Sequence, residues 1–263
     1  MNVLFFGILV VYFIAMALQF AAVAFKKEKL GKGAWAVFLA AFAAHTVYIV
    51  VRGVVAKRLP LSNQFEFATA FAWGVALLLI VLQTKMKANW LSVIAMPMTF
   101  LLLSFAALQP REVTDLMPAL RSGWFGFHIG SAVISYSAFV VAGCVGLRYI
   151  LLSKKNREED SFRLQQMDWL SYRLVALGVL MLTVTILTGA IWAEQAWSAF
   201  WTWDPKEVWA LITWIIYVVY LHLRLRSRKK GLAMAWYVVI AVPVVLFTFA
   251  GVNTLMSGLH TYA

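Results

Sequence analysis

The chain has 263 residues, of which 63% are hydrophobic and only 13% charged. Soluble domains carry about 25% charged residues, so an ordinary water-soluble globular protein is excluded. The formal charge of +12 would suit a nucleic-acid partner, but the basic residues fall in short stretches between apolar runs, as orientation signals do, and no nucleic-acid binding is expected.

Apolar runs recur along the chain, each long enough to cross a hydrocarbon core of roughly 30 Å. Eight can be drawn, at about 3–25, 34–53, 65–83, 90–108, 124–151, 170–192, 208–223 and 232–252. Backbone polar groups cannot stay unpaired in lipid, so runs of this length must be helices. The expected fold is all-α: a polytopic integral membrane helical bundle of about eight transmembrane helices, a single domain over 1–263.

The first run, M-N-V-L-F-F-G-I-L-V onward, has no basic residues before it and is followed by Lys26, Lys27, Lys29 and Lys32. It is too long for a signal peptide and its charge is on the wrong flank, so it reads as a first membrane helix with the N-terminus outside. The second run carries His45 near mid-depth, in A-A-H-T-V-Y. A polar residue there is a functional candidate by default; a buried hydrogen bond is the competing reading. Pro97 and Pro243, inside runs four and eight, predict local kinks. Isolated tryptophans such as Trp73 and Trp90 read as interfacial belt or packing.

His128 follows Gly123, Trp124 and Gly126 at the start of run five. The same run holds Cys144, the chain's one cysteine, so no intrachain disulfide or C-x-x-C pair can form, and thiol chemistry must come from a partner or substrate. The connection 153–169 is expected to be a solvated loop with a short helix. Runs six and seven are joined by W-A-E-Q-A-W-S-A-F-W-T-W-D-P-K-E (192–207), and six of the twelve tryptophans lie between Trp192 and Trp214. Asp204, Pro205 and Glu207 spell a helix start, with an N-cap, a proline at the first position and a capping-box acid. His222 lies near the far end of run seven, just before Arg224, and reads equally as a ligand or an interfacial residue. His260 lies in the tail G-V-N-T-L-M-S-G-L-H-T-Y-A.

With the N-terminus outside, the inner connections carry fifteen basic residues and the outer ones five: Lys57, Arg58, Arg111, Arg121 and Lys206. Such a bias places both termini outside the cytoplasm. His128, His260 and the tryptophan run then meet at one membrane face. Imidazoles beside a flat aromatic surface suggest haem, whose iron takes axial nitrogen ligands and whose ring stacks on indole. Its propionates would want cations, and which of Arg58, Arg111, Arg121 and Lys206 serves is not legible. A membrane-interface belt competes for each single tryptophan, but not for the whole run, since a belt needs one or two rings per helix end.

The stretch W-A-E-Q-A-W-S-A-F-W-T-W-D-P-K-E-V-W-A-L-I-T-W-I-I-Y-V-V-Y-L-H-L-R resembles the tryptophan-rich WWD signature of haem-handling proteins, and within them the CcsA/ResC-type cytochrome c biogenesis family. The tail F-A-G-V-N-T-L-M-S-G-L-H-T-Y and the segment H-T-V-Y-I-V-V-R-G-V-V-A-K-R-L-P-L-S-N-Q-F-E-F resemble two further parts of it, in the expected order. The resemblance runs from about residue 40 to the C-terminus. It implies delivery of haem b, bound transiently, and its covalent attachment to apocytochrome c on the extracytoplasmic face. By the same resemblance His128 and His260 are axial ligands of the haem iron, and His222 belongs to a second, intramembrane haem site. Trp192, Trp197, Trp201 and Trp203, with Asp204, form the platform. The implied partners are a ResB/Ccs1-type membrane protein, the apocytochrome c with its C-x-x-C-H motif, and thiol-reducing proteins. Any holocytochrome c synthase activity of the haem lyase type would arise only in that complex, in a bacterial plasma (inner) membrane in preference to a thylakoid. One departure is visible: Ser198 stands where the family often has glycine. Two other functions remain open, a cytochrome b-like electron-transfer subunit and a haem exporter without ligation activity.

Overall fold

The structure, a computed structural model, describes residues 1–154, 161–256 and 258. The described residues form helices and turns with no strand, and eight of the helices are long and apolar enough to span a membrane. They are α1 (Asn2–Ala24), α2 (Glu28–Ala56), α3 (Gln64–Met86), α4 (Ser92–Ala107), α5 (Gly123–Ser153), α6 (Ser161–Trp197), α7 (Pro205–Leu225) and α8 (Leu232–Leu246). Short 3-10 turns, Asn89–Leu91 and Pro118–Leu120, precede α4 and α5. After α8 the chain widens into a π-helical turn, Phe247–Gly251, followed by α9, Val252–Leu255. That widening starts one turn beyond Pro243, where α-helical bonding has already lost a donor.

The helix starts are written locally. Asn63 caps α3 by accepting from the Glu66 N–H, and Ser122 caps α5 by accepting from the Trp124 N–H. The sixth helix is longer than hydropathy predicts. It is already helical at Ser161, inside the expected 153–169 loop, and continues five residues past Trp192 to Trp197. Hydropathy marks the part suited to hydrocarbon; good helix formers such as Gln165, Gln166, Met167, Glu194 and Gln195 extend the helix beyond it.

The chain divides into two compact units, Met1–Asp115 and Leu116–Ala263. In the first, α1 packs on α2 and α4, and α3 packs on α4 and α2. Its core is aromatic: the Phe5 ring lies 5.0 Å from Phe65 and 5.6 Å from Tyr48. Trp73 lies stacked on Phe42 and donates its indole N–H to Thr46 Oγ1 at 2.9 Å, so it is a packing residue. His45 is fully buried, with a 3.3 Å hydrogen bond between Nδ1 and the Tyr12 hydroxyl.

In the second unit α5 packs against α6 and α8, and α6 and α8 each contact α7. The α5–α8 approach is close because α5 carries glycine there: a Cβ on Gly146 would stand 2.8 Å from the Ala235 carbonyl oxygen. Small residues let membrane helices approach, and hydroxyls then bridge them. Ser135 donates to the Gly178 carbonyl at 2.8 Å, Ser131 and Thr185 share a 2.9 Å bond, and Thr213 and Thr248 one of 2.8 Å. Where α7 ends, Asp168 accepts a two-pronged bond from the Arg224 guanidinium and another from the Gly231 N–H at 2.9 Å.

Candidate functional site

His128 sits in the second turn of α5, facing α6. Its Nδ1 lies 2.8 Å from the carbonyl oxygen of Thr185. A carbonyl can only accept, so Nδ1 carries the proton and donates. In the neutral ring Nε2 then carries the lone pair, the arrangement by which a backbone carbonyl fixes the tautomer of a metal-ligating histidine. One turn along α6, Gly189 makes room for the ring: a Cβ there would stand 2.7 Å from Nδ1 and 2.8 Å from Cε1. Another turn on, Trp192 stacks on the imidazole, with centroids 5.7 Å apart and planes at 27°.

Trp192 is itself 1% exposed. Its indole N–H donates to the Ala119 carbonyl at 2.7 Å, and its ring packs against Phe125 at 5.3 Å and edge-on to Trp197 at 4.8 Å. Leu120 and Phe125 complete a buried cluster around it. Trp192 therefore serves as a fixed wall behind His128, and both it and Trp197 belong to the end of α6.

The chain leaves α6 at Ser198, which has φ +57, and re-enters a helix just after Trp203, which has φ +59. The left-handed region costs a non-glycine residue roughly 1–2 kcal/mol. At Trp203 the surroundings impose it: Glu207 Oε2 accepts from the N–H groups on either side, Thr202 at 2.8 Å and Asp204 at 3.2 Å. The result turns Trp203 outward, 70% exposed, with Trp201 edge-on to it at 5.9 Å. Asp204 is buried and caps α7, with Pro205 following it and Glu207 completing the capping box; its Oδ1 accepts from the Lys206 N–H at 2.9 Å. The capping anticipated from D-P-K-E is thus present.

The structure brings together His128, Trp192 and Trp197, and pairs Trp201 with Trp203 next to the Asp204 cap. His222 is exposed in the last turn of α7, about 27 Å along the helix from Asp204 at 1.5 Å per residue. His260 lies outside the described residues. Gly258, two positions before it in the sequence, packs against Asp204 and Pro205, where a Cβ would stand 3.1 Å from Pro205 Cδ.

Sequence reasoning did not single out Thr185 or Gly189, because neither a backbone carbonyl nor a glycine across a helix pair leaves a local mark. It also passed over an ion cluster in the first unit. Arg52 Nε donates to Glu66 Oε1 at 2.9 Å, and Arg58 Nη1 to Glu66 Oε2 at 2.8 Å, with all three side chains nearly or fully buried. Arg52 also holds the carbonyls of Arg111 and Glu112, at 3.0 and 3.3 Å, and so ties the segment after α4 to α2 and α3. The signal was available: two arginines and a glutamate in a chain with so few charges are candidates for pairing.

Residues 61–260 match the family described as Cytochrome C assembly protein. The chain is 31% identical over 243 aligned positions to the cytochrome c biogenesis protein CcsA of Guillardia theta, covering 82% of this chain and 81% of that one. It is 33% identical over 249 positions to the CcsA of Parasynechococcus marenigrum, covering 82% of each. To the CcsA of Prochlorococcus marinus (strain MIT 9301) it is 29% identical over 286 positions, covering 97% of this chain and 93% of that protein.

Proposed function

Because this chain belongs to the cytochrome c assembly protein family, we propose that it presents haem for covalent attachment to apocytochrome c at the end of the bundle that carries His128 and the tryptophan-rich loop. The chain is an integral membrane protein, and its work lies in cytochrome c biogenesis. The positive-inside bias puts that end outside the cytoplasm. His128 offers Nε2 to the iron. Thr185 and Trp192 keep the imidazole in one tautomer and one orientation. Trp201 and Trp203, on the loop that follows α6, supply further aromatic faces. The second axial imidazole comes from His260, in the tail that reaches Asp204 at Gly258. His222, at the far end of α7, belongs to a second haem site.

The bound porphyrin supplies the vinyl groups across which the two cysteine S–H bonds of an apocytochrome C-x-x-C-H motif add, giving thioethers with no atom left over. This chain contributes orientation and exclusion of water, which suffices for a proximity reaction. Its only cysteine, Cys144, is buried within α5, so the reacting thiols are the substrate's, kept reduced by thiol-reducing proteins. A ResB-type membrane partner completes the complex.

The observation that carries this reading is the hydrogen bond from His128 Nδ1 to the Thr185 carbonyl, with Trp192 stacked on the ring. The electron-transfer alternative draws less support, because His45, one of its two in-span candidates, is 0% exposed, enclosed on every side by its neighbours. The test is to purify the protein with its partner and record haem spectra for His128→Ala and His260→Ala, alongside holocytochrome c yield in cells. Each variant should lose haem and cytochrome yield by roughly tenfold or more. Wild-type haem content with intact cytochrome maturation in both would overturn the axial assignment.

A further inference from the structure

We propose that Lys206 recognises a carboxylate of the porphyrin held at this site, so that the site selects the free diacid over an uncharged porphyrin. The inference rests on the haem reading above and adds to it the residue that sets specificity.

Four cations in the outer connections were candidates, and the structure separates them. Arg58 is committed to Glu66, at 2.8 and 3.3 Å, and to the carbonyls of Leu59 and Thr114. The Arg111 guanidinium lies over the Phe6 ring at 4.6 Å. Arg121 is exposed and donates Nε to the Leu116 carbonyl at 3.2 Å. Lys206 differs from all three. It is partly buried, lies three residues after Trp203 and three before Trp209, and its ammonium makes no hydrogen bond or ion pair with any described residue.

The two acids beside it do not take the charge up as a bonded partner. Asp204 Oδ1 accepts the backbone N–H of Lys206, and Glu207 Oε2 accepts those of Thr202 and Asp204. Lys206 also stands in the first turn of α7, where the helix dipole opposes a cation. Against that opposition its one charge support is the neighbouring Asp204 carboxylate. An ammonium without a bonded partner in the first turn of α7, three residues after the outward-turned Trp203, is suited to an anionic group on a flat apolar ligand. Protoporphyrin carries two such groups on one edge. A charge-assisted bond of this kind contributes about 1.5–3 kcal/mol, or roughly tenfold or more in affinity.

The experiment uses the purified full chain in detergent, titrated with ferric protoporphyrin IX and, separately, with its dimethyl ester, while the Soret band is followed. Wild type should bind the diacid roughly tenfold or more tightly than the ester. Lys206→Gln should lose that preference by weakening the diacid alone, and Lys206→Arg should keep it. An unchanged diacid-to-ester ratio in Lys206→Gln overturns the proposal, and so does an equal loss of both porphyrins, which is the signature of a structural or lipid-contacting lysine. His128→Ala is run in parallel. If it shifts the wild-type Soret band while the ratio ignores Lys206, the haem reading stands and the lysine alone is wrong. If wild type binds neither porphyrin, both fall together.

Discussion

A single backbone carbonyl sets the chemistry of His128. Thr185 lies 57 residues away in sequence, yet its oxygen accepts a hydrogen bond from Nδ1–H at 2.8 Å and thereby fixes the tautomer, leaving the lone pair of the neutral ring on Nε2. That bond exists only because α6 carries glycine at 189, with no side chain to push the ring away. Gly189→Ala is therefore expected to lower holocytochrome c yield about tenfold, the consequence of overpacking on the order of 1–2 kcal/mol at the ring. Gly33→Ala, at a position with open space around it, serves as the control and should leave the yield at the wild-type level. Haem staining of membrane fractions reads both. Equal yields in the two variants would show that the imidazole's placement does not limit the reaction. His128 could be singled out from sequence because its position at a span end is a one-dimensional property. Thr185 and Gly189 could not, because their role depends on the rotation of α6 against α5.

At the level of the helix, the span boundaries drawn from hydropathy and the helices themselves answer to different physics. Transfer to hydrocarbon ends where Glu194 and Gln195 begin, but backbone hydrogen bonding continues to Trp197. The practical result is that Trp192 and Trp197 are helix residues with fixed directions, and only 198–203 form the connecting loop. Ser198 ends α6 with φ +57, and its N–H bonds the Glu194 carbonyl at 2.8 Å. Glycine meets no steric cost in that conformation, which explains why the serine stood out as a departure. Ser198→Gly should stabilise the protein by about 1 kcal/mol, seen as a higher midpoint in thermal unfolding in detergent, with haem binding retained. A lower midpoint would show that the serine side chain contributes something the backbone angle does not. The α7 start behaves as its letters suggested, because a cap is a contact between residues two or three apart and needs no tertiary partner.

For the whole molecule, the decisive question is which end of the bundle faces the cytoplasm. Fifteen basic residues in one set of connections against five in the other predict that the tryptophan-rich loop lies on the extracytoplasmic side. The lone native cysteine is buried at 3% exposure, so cysteines introduced at exposed positions report without background. Phe200→Cys, in the loop, should react with a membrane-impermeant maleimide in intact cells, whereas Arg228→Cys, after α7, should react only once the membrane is opened. The reverse pattern would place His128 on the cytoplasmic side and remove the basis for attaching haem to an exported cytochrome.

The sequence by itself determined the all-helical membrane architecture, its eight spans and the cap at Asp204, because hydrophobic length and capping are short-range properties written in consecutive residues. Only the tertiary structure decided that Trp192 is a buried wall and Trp203 an exposed face, that Arg58 is spent on Glu66 while Lys206 is not, and that His128 answers to Thr185. Those outcomes depend on how helices rotate and approach one another, and that is fixed by packing among side chains and glycines far apart in the chain.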